Sequence, residues 1–280
     1  MERRGDRGIA KTIVRHIVAT VVVCSIPLSP RFSIPPLVAQ ISPADIISGQ
    51  DLIYTGRFGA AQFYFSDLTR DHPREAAGPM LTASALIWWG EAEGNESFMA
   101  DSIDVLLTEG IRRAQAALDA ATADSARVAS LFWLGSSYGY RARQAGLTGN
   151  NWRAAHDAKA MRVALERALA LDSACADCLL GLGVYDYALA RAGSLARLVA
   201  RVIGLGGGDA ARAFRRMAAA SERGVLTRTE ARWVYASALL REGERDRSLR
   251  EDGLRRVAAL VEQFPENPVF RRALPPLGTP

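Results

Sequence analysis

The sequence predicts an all-α protein built from repeated helical segments, and three observations lead there. Apolar residues recur at helical spacing through most of the chain, as in Leu165, Ala168 and Leu169 or Leu254, Val257, Leu260 and Val261. Breakers sit where short turns are needed, at Gly94-Asn95, Gly149-Asn150, Gly193 and Gly206-Gly207-Gly208. Small residues and prolines recur at matching offsets in several segments, which is the mark of a repeat architecture.

Taken in order, the helices are expected near 43–55, 58–71, 76–92, 97–121, 124–145, 152–171, 175–191, 194–203, 209–223, 227–242 and 248–264. In the first hairpin Gly49 permits close helix approach, Gly56 ends the first helix, Ala61 supplies a small contact and Pro73 stops the second helix. Gly49, Gly56, Phe58, Ala61, Phe65 and Pro73 set the offsets. Leu131, Leu134, Gly135 and Tyr138 repeat the first-helix pattern, with 152–172 as the partner helix. Leu182-Gly183 restarts it, and Asp209 is a good N-cap for the helix that follows the glycine run. Ala236, Gly243 and Pro265 mark the last unit, which carries a charged insertion around 245–251. The helical domain is therefore expected over 42–268, with 269–280 as a flexible tail.

Charge narrows the partner. Residues 1–39 carry a net +4 of the chain's +5, leaving +1 for the body. Without a basic excess in the body there is nothing to neutralise a phosphate backbone, so nucleic acid is not the expected partner. The leader itself reads as a targeting segment: bases through Arg15, an apolar run over 17–26, then Pro27, with Leu37-Val38-Ala39 offering a small-residue cleavage site after Ala39. The apolar run is short for a membrane span. Export to the periplasm or envelope follows, with the leader either cleaved or kept as an N-terminal anchor.

The repeated offsets resemble those of the tetratricopeptide-repeat (TPR) superfamily over residues 42–268. A narrower likeness, to a divergent branch that includes exported bacterial proteins and a mitochondrial outer-membrane repeat family, rests on Gly183, Tyr185, Tyr187, Leu205, Gly207, Gly208 and Asp209. The resemblance implies a right-handed superhelix of stacked antiparallel helical hairpins, a concave face formed by the first helix of each hairpin, a protein partner, and no catalytic residues. The long second and third units depart from a uniform period.

Several constellations invite chemistry. Cys175-Ala176-Asp177-Cys178 lies at a helix N-terminus, which suits a redox pair, but no βαβ pattern surrounds it. A local disulfide between Cys175 and Cys178, a thiol–disulfide site and two inert small residues all remain open. A haem-attachment His and a second cysteine pair for zinc are absent, and His72 and His156 read as solvated or capping residues. Gly206-Gly207-Gly208-Asp209 lacks the lysine of a phosphate loop and reads as a flexible turn with an N-cap. Glu91, Glu93 and Glu96 beside Trp88-Trp89 read as a solvated helix end. No metal or cofactor is expected. Among the aromatics, register places Tyr140 and Tyr187 on the groove and Tyr138 and Tyr235 in the core. The expected function is a non-enzymatic protein-binding scaffold of the envelope. A small-molecule-binding accessory protein of a transport or assembly complex, or a CxxC oxidoreductase, are the alternatives.

Overall fold

In the computed structural model, residues 40–193 and 204–275 are described, within one compact unit spanning Ala39–Pro280. The leader with its cleavage site and the helix expected over 194–203 lie outside the described residues. The described helices, in chain order, are α1 (Pro43–Tyr54), α2 (Phe58–Asp71), α3 (Ala77–Glu93), α4 (Ala100–Ala120), α5 (Asp124–Leu147), α6 (Asn151–Leu171), α7 (Cys178–Arg191), α8 (Ala210–Arg223), α9 (Arg228–Glu242), α10 (Arg247–Gln263) and α11 (Pro268–Arg272).

Local signals set the ends of these helices. Ser42 caps α1 in a capping box: its Oγ accepts from Asp45 N at 3.1 Å, and Asp45 reaches back to Ser42 N at 3.4 Å. Asn150, Asp209 and Asp246 cap α6, α8 and α10 through their side-chain oxygens. Gly56, at φ +77°, makes the left-handed turn that lets α2 fold back on α1.

Consecutive helices pack antiparallel as α1–α2, α3–α4, α5–α6, α7–α8 and α9–α10, and each hairpin stacks on the next. The first helices also touch one another directly, α1 on α3, α3 on α5 and α5 on α7, forming a continuous inner layer. Two buried carboxylates pin hairpins internally. Asp157 of α6 takes Arg141 of α5 in a two-pronged pair at 2.7 and 2.8 Å. Asp186 of α7 takes Arg212 at 2.6 and 2.8 Å and Arg216 at 2.6 Å, both from α8. Asp157 and Asp186 are each almost fully buried, and only such fork-like pairing offsets the cost of removing a charge from water.

The ends of the stack meet. Segment 264–270 shares one apolar core with the first two hairpins: Phe264 lies 5.7 Å from the Tyr54 ring, and Phe270 lies 5.7 Å from Trp88 and 5.3 Å from Trp233. Asn267, fully buried, donates from Nδ2 to the carbonyls of Tyr54 (3.1 Å) and Ile53 (3.4 Å). It thereby gives the Tyr54 carbonyl at the end of α1 a donor, and adds a second one to the Ile53 carbonyl, which already accepts from Gly56 N at 3.0 Å. This corrects the expectation of a flexible tail from 269 onward: Val269 and Phe270 are buried, and α11 packs on α3. Pro268 and the Asn267 side chain, accepting from Val269 N at 2.9 Å, start that helix. As a result α3 is covered on nearly every side, by α1, α2, α4, α5 and α11, and its sequence is apolar all round to match.

Candidate functional site

The inner layer is where a repeat stack of this kind offers contact residues, and the two tyrosines expected there both meet α9. The hydroxyl of Tyr140, from α5, donates to the Glu230 carboxylate in the first turn of α9 and shares a 3.3 Å hydrogen bond with Ser84 of α3. Tyr187, from α7, donates at 2.9 Å to Glu242, the last residue of α9. Twelve residues of helix separate the two carboxylates, about 18 Å along the axis at 1.5 Å per residue. At each position a carboxylate of the chain's own α9 takes the tyrosine hydroxyl.

The two ends of α9 differ in character. At the first, burial pushes the Glu230 carboxyl above the ordinary range, against the lowering effects of the Tyr140 hydrogen bond and the Arg143 charge. The hydroxyls of Tyr140 and Tyr54 are held well above the usual phenol value, by burial first and then by the Glu230 charge. Arg143 is itself engaged by Glu91. At the other end Glu242 is gripped by Arg191 through Nε at 2.6 Å and through Nη2. Burial, then the Glu242 hydrogen bond, raises Tyr187. Beyond it the rings of Tyr187, Phe214 and Tyr235 follow at 5.9 and 6.0 Å, and Arg256 closes the row 4.5 Å over Tyr235. All three residues are half-buried, packed against the Ala213–Met217–Ala238 cluster.

Cys175 and Cys178 are joined as a disulfide. Cys178 is fully buried as the first residue of α7, while Cys175 is partly exposed. Between them Asp177 points away from its own helix. Its Oδ1 accepts from the backbone N–H of Val225 (2.9 Å), Leu226 (3.0 Å) and Thr227 (2.9 Å) and from Thr227 Oγ1 (2.8 Å).

Other residues singled out in the sequence are placed as follows. His156 is exposed, 72% of its side chain reaching solvent, and His72 terminates α2. Glu93 accepts from Trp89 Nε1 at 3.3 Å. Tyr138 and Tyr235 are half-buried against the packed clusters. The glycine run at 206–208 is not a loose turn at its end. A Cβ on Gly208 would collide with Ala190 N and stand 2.5 Å from Asp186 O, so the backbone is pressed against α7 there. Sequence reading passed over Glu230 and Glu242. A signal for Glu242 existed: an acid at a helix C-terminus opposes the helix dipole and needs a tertiary partner. Glu230, in a first turn, looks ordinary on the same criterion.

Two surface depressions lie nearby, one of about 160 Å³ at Glu91, Asn95, Arg143 and Gln144 and a shallower one of about 480 Å³ around Arg57, Trp89 and Glu93. Among the described residues no group of three or more His, Cys, Asp or Glu is placed to hold a metal ion. No described helix is long and apolar enough to cross a membrane.

The stacked antiparallel hairpins and their inner layer are the all-α architecture that the sequence predicts. No family model and no curated protein matches the chain. Among solved structures it is similar to a thermophilic TPR protein of Thermus thermophilus, at 17% identity over 82% of this chain and 94% of that one, with a TM-score of 0.46.

Proposed function

We propose that the chain is a non-enzymatic scaffold of the cell envelope that binds a segment of a partner protein along the hairpin stack. One observation carries this reading: the row Arg191, Tyr187, Phe214, Tyr235 and Arg256, which runs across α7, α8, α9 and α10 with its aromatic residues half-buried. Aromatic and arginine side chains held rigidly in a row supply large contact area at little cost in side-chain freedom, as binding hot spots do. The Tyr140 end is closed by α9, so the partner is placed at the Tyr187 end. An enclosed small molecule has less support, because the deeper depression is smaller than the usual range for such sites, roughly 300–1,000 Å³.

The test is affinity capture from the envelope fraction with the full chain as bait, alongside Tyr187→Ala, Arg256→Ala and Tyr140→Ala variants. Recovery of the same partner should fall at least about fivefold for the first two, the loss expected of a residue worth more than 1 kcal/mol. It should hold for Tyr140→Ala once folding is matched. Equal recovery with all variants would remove the row as the site. Export after cleavage at Ala39 belongs to the same proposal, and N-terminal sequencing of the protein from that fraction should begin at Gln40. An intact leader would refute cleavage.

A further inference from the structure

The turn before α9 holds a contact that neither the scaffold reading nor the core explains. Asp177 stands at the N-cap position of α7, where an aspartate ordinarily adopts extended backbone and caps the free N–H groups of its own helix. Here its backbone is α-helical (φ −62°, ψ −30°), part of a turn in which Cys178 N donates to Cys175 O at 3.2 Å and Leu179 N to Ala176 O at 3.1 Å, and its side chain makes no cap to α7; an extended Asp177 would have to open that turn to reach those amides. The carboxylate instead collects three successive N–H groups and a hydroxyl from the 225–227 turn. Gly224 admits it, since a Cβ there would stand 3.0 Å from Asp177 Oδ1. That turn matters beyond itself. Leu226 packs against both large cores, and its carbonyl accepts from Gln50 Nε2 of α1 at 2.9 Å, so it ties the start of α9 to the first hairpin.

Asp177 thus has two carboxylate destinations, α7's own N-terminus or the 225–227 turn. What selects between them is its backbone conformation, and the i,i+3 bridge from Cys175 to Cys178 encloses that residue in a short covalent ring. We propose that the Cys175–Cys178 disulfide is a thiol-sensitive latch that keeps Asp177 on the 225–227 turn and so holds α9 across the inner face; a dithiol reductant opens it. The reductant's thiolate attacks the partly exposed Sγ of Cys175, and the buried Cys178 sulfur leaves as a thiolate and takes up a proton. The second thiol of the reductant then displaces Cys175, which is protonated in turn. Two electrons and two protons pass to the cysteines, and the reductant leaves as a disulfide. Freed of the ring, Asp177 adopts extended backbone and caps α7, and the 225–227 amides lose their acceptor. The latch bears on the scaffold reading only through Tyr235 of α9, one ring of the proposed row; its mechanics do not depend on that reading.

Hydrogen exchange on the isolated full chain tests it, with and without a small dithiol, the reduced state being verified by alkylation of both cysteines. Reduction should speed exchange of the 225–227 amides at least about tenfold, the loss expected for hydrogen bonds to a charged acceptor, while slowing the first-turn amides of α7. Asp177→Asn should show fast 225–227 exchange already when oxidised, with little further change on reduction. Unchanged exchange in verified reduced protein would overturn the latch. So would a bridge that resists excess dithiol under native conditions. Loss of protection throughout the molecule would make the disulfide a general staple, which also overturns it. Because no partner enters the measurement, failure of the scaffold reading and failure of the latch are separate results.

Discussion

Replacing Phe270 by alanine tests whether the two ends of the stack are one core. The side chain is fully buried, with Trp88, Trp233 and Phe264 rings at 5.7, 5.3 and 6.0 Å. Truncating such a phenylalanine removes the transfer term and leaves a cavity that its rigid aromatic neighbours cannot fill, at about 3–5 kcal/mol. For a folded unit of this size each kcal/mol moves the melting temperature by about 2–4 °C, so Tm should fall by roughly 6–20 °C. Thermal unfolding followed by circular dichroism measures it, with Phe63→Ala as control. Phe63 is 68% exposed, and its loss should change stability by no more than about 0.5 kcal/mol. Hydrogen exchange locates the effect. In an open repeat stack a lesion in the last unit loosens that unit and its neighbour. Here protection should also drop in α1 and α3, far from residue 270 in sequence. A Phe270→Ala protein with wild-type Tm, or with faster exchange only in α10 and α11, would refute the closed arrangement.

Other predictions follow from single contacts. Because Glu230 is held above the ordinary carboxylate range, it binds its proton more tightly folded than unfolded. Its contribution is therefore most favourable in acid and is lost as pH rises through the raised value. Glu230→Gln should be more stable than wild type at neutral pH and indistinguishable at acid pH; a pH series of denaturant midpoints checks it. Asp186→Ala leaves Arg212 and Arg216 without their shared carboxylate; both guanidiniums reach solvent, so the cost by denaturant unfolding should be about 1.5–3 kcal/mol, that of lost hydrogen bonds to a charged group. Gly208→Ala places a methyl group inside the backbone of α7 and should destabilise by more than about 1 kcal/mol, whereas Gly207→Ala, with open space around it, should be nearly neutral.

The hairpins were legible because their determinants are local. Gly56, Ser42, Asp209 and the apolar spacing act within a few residues, and the helices fall within a few residues of the expected limits. The closure was not legible from offsets, since nothing in a repeat pattern says whether its last unit meets its first. Two clues were present in retrospect. The segment 77–90 is apolar all round, which a helix with one open face has no reason to be. Val269 and Phe270 put apolar bulk into a stretch read as a tail. For the site, register placed Tyr140 and Tyr187 on the inner layer, but their acceptors Glu230 and Glu242 lie at separations of 90 and 55 residues, beyond any local rule. The Asp177 contact, 48 to 50 residues away, escaped for the same reason.

The Asn267–Tyr54 contact spans 213 positions of chain. Most repeat proteins can fold as they are made, since each unit needs only its neighbour. This one cannot finish its first hairpins until residues 267–270 have been translated. The apolar flank of α3 and the Tyr54 carbonyl at the end of α1 must wait, uncovered, through the synthesis of about two hundred residues at roughly 5–20 per second. A ribosome that stops short of Phe270 releases a polypeptide with every hairpin written and α3 bare, the kind of product that quality-control proteases and chaperones recognise. The segment 264–270 therefore acts as a check on completeness for the hairpins before it.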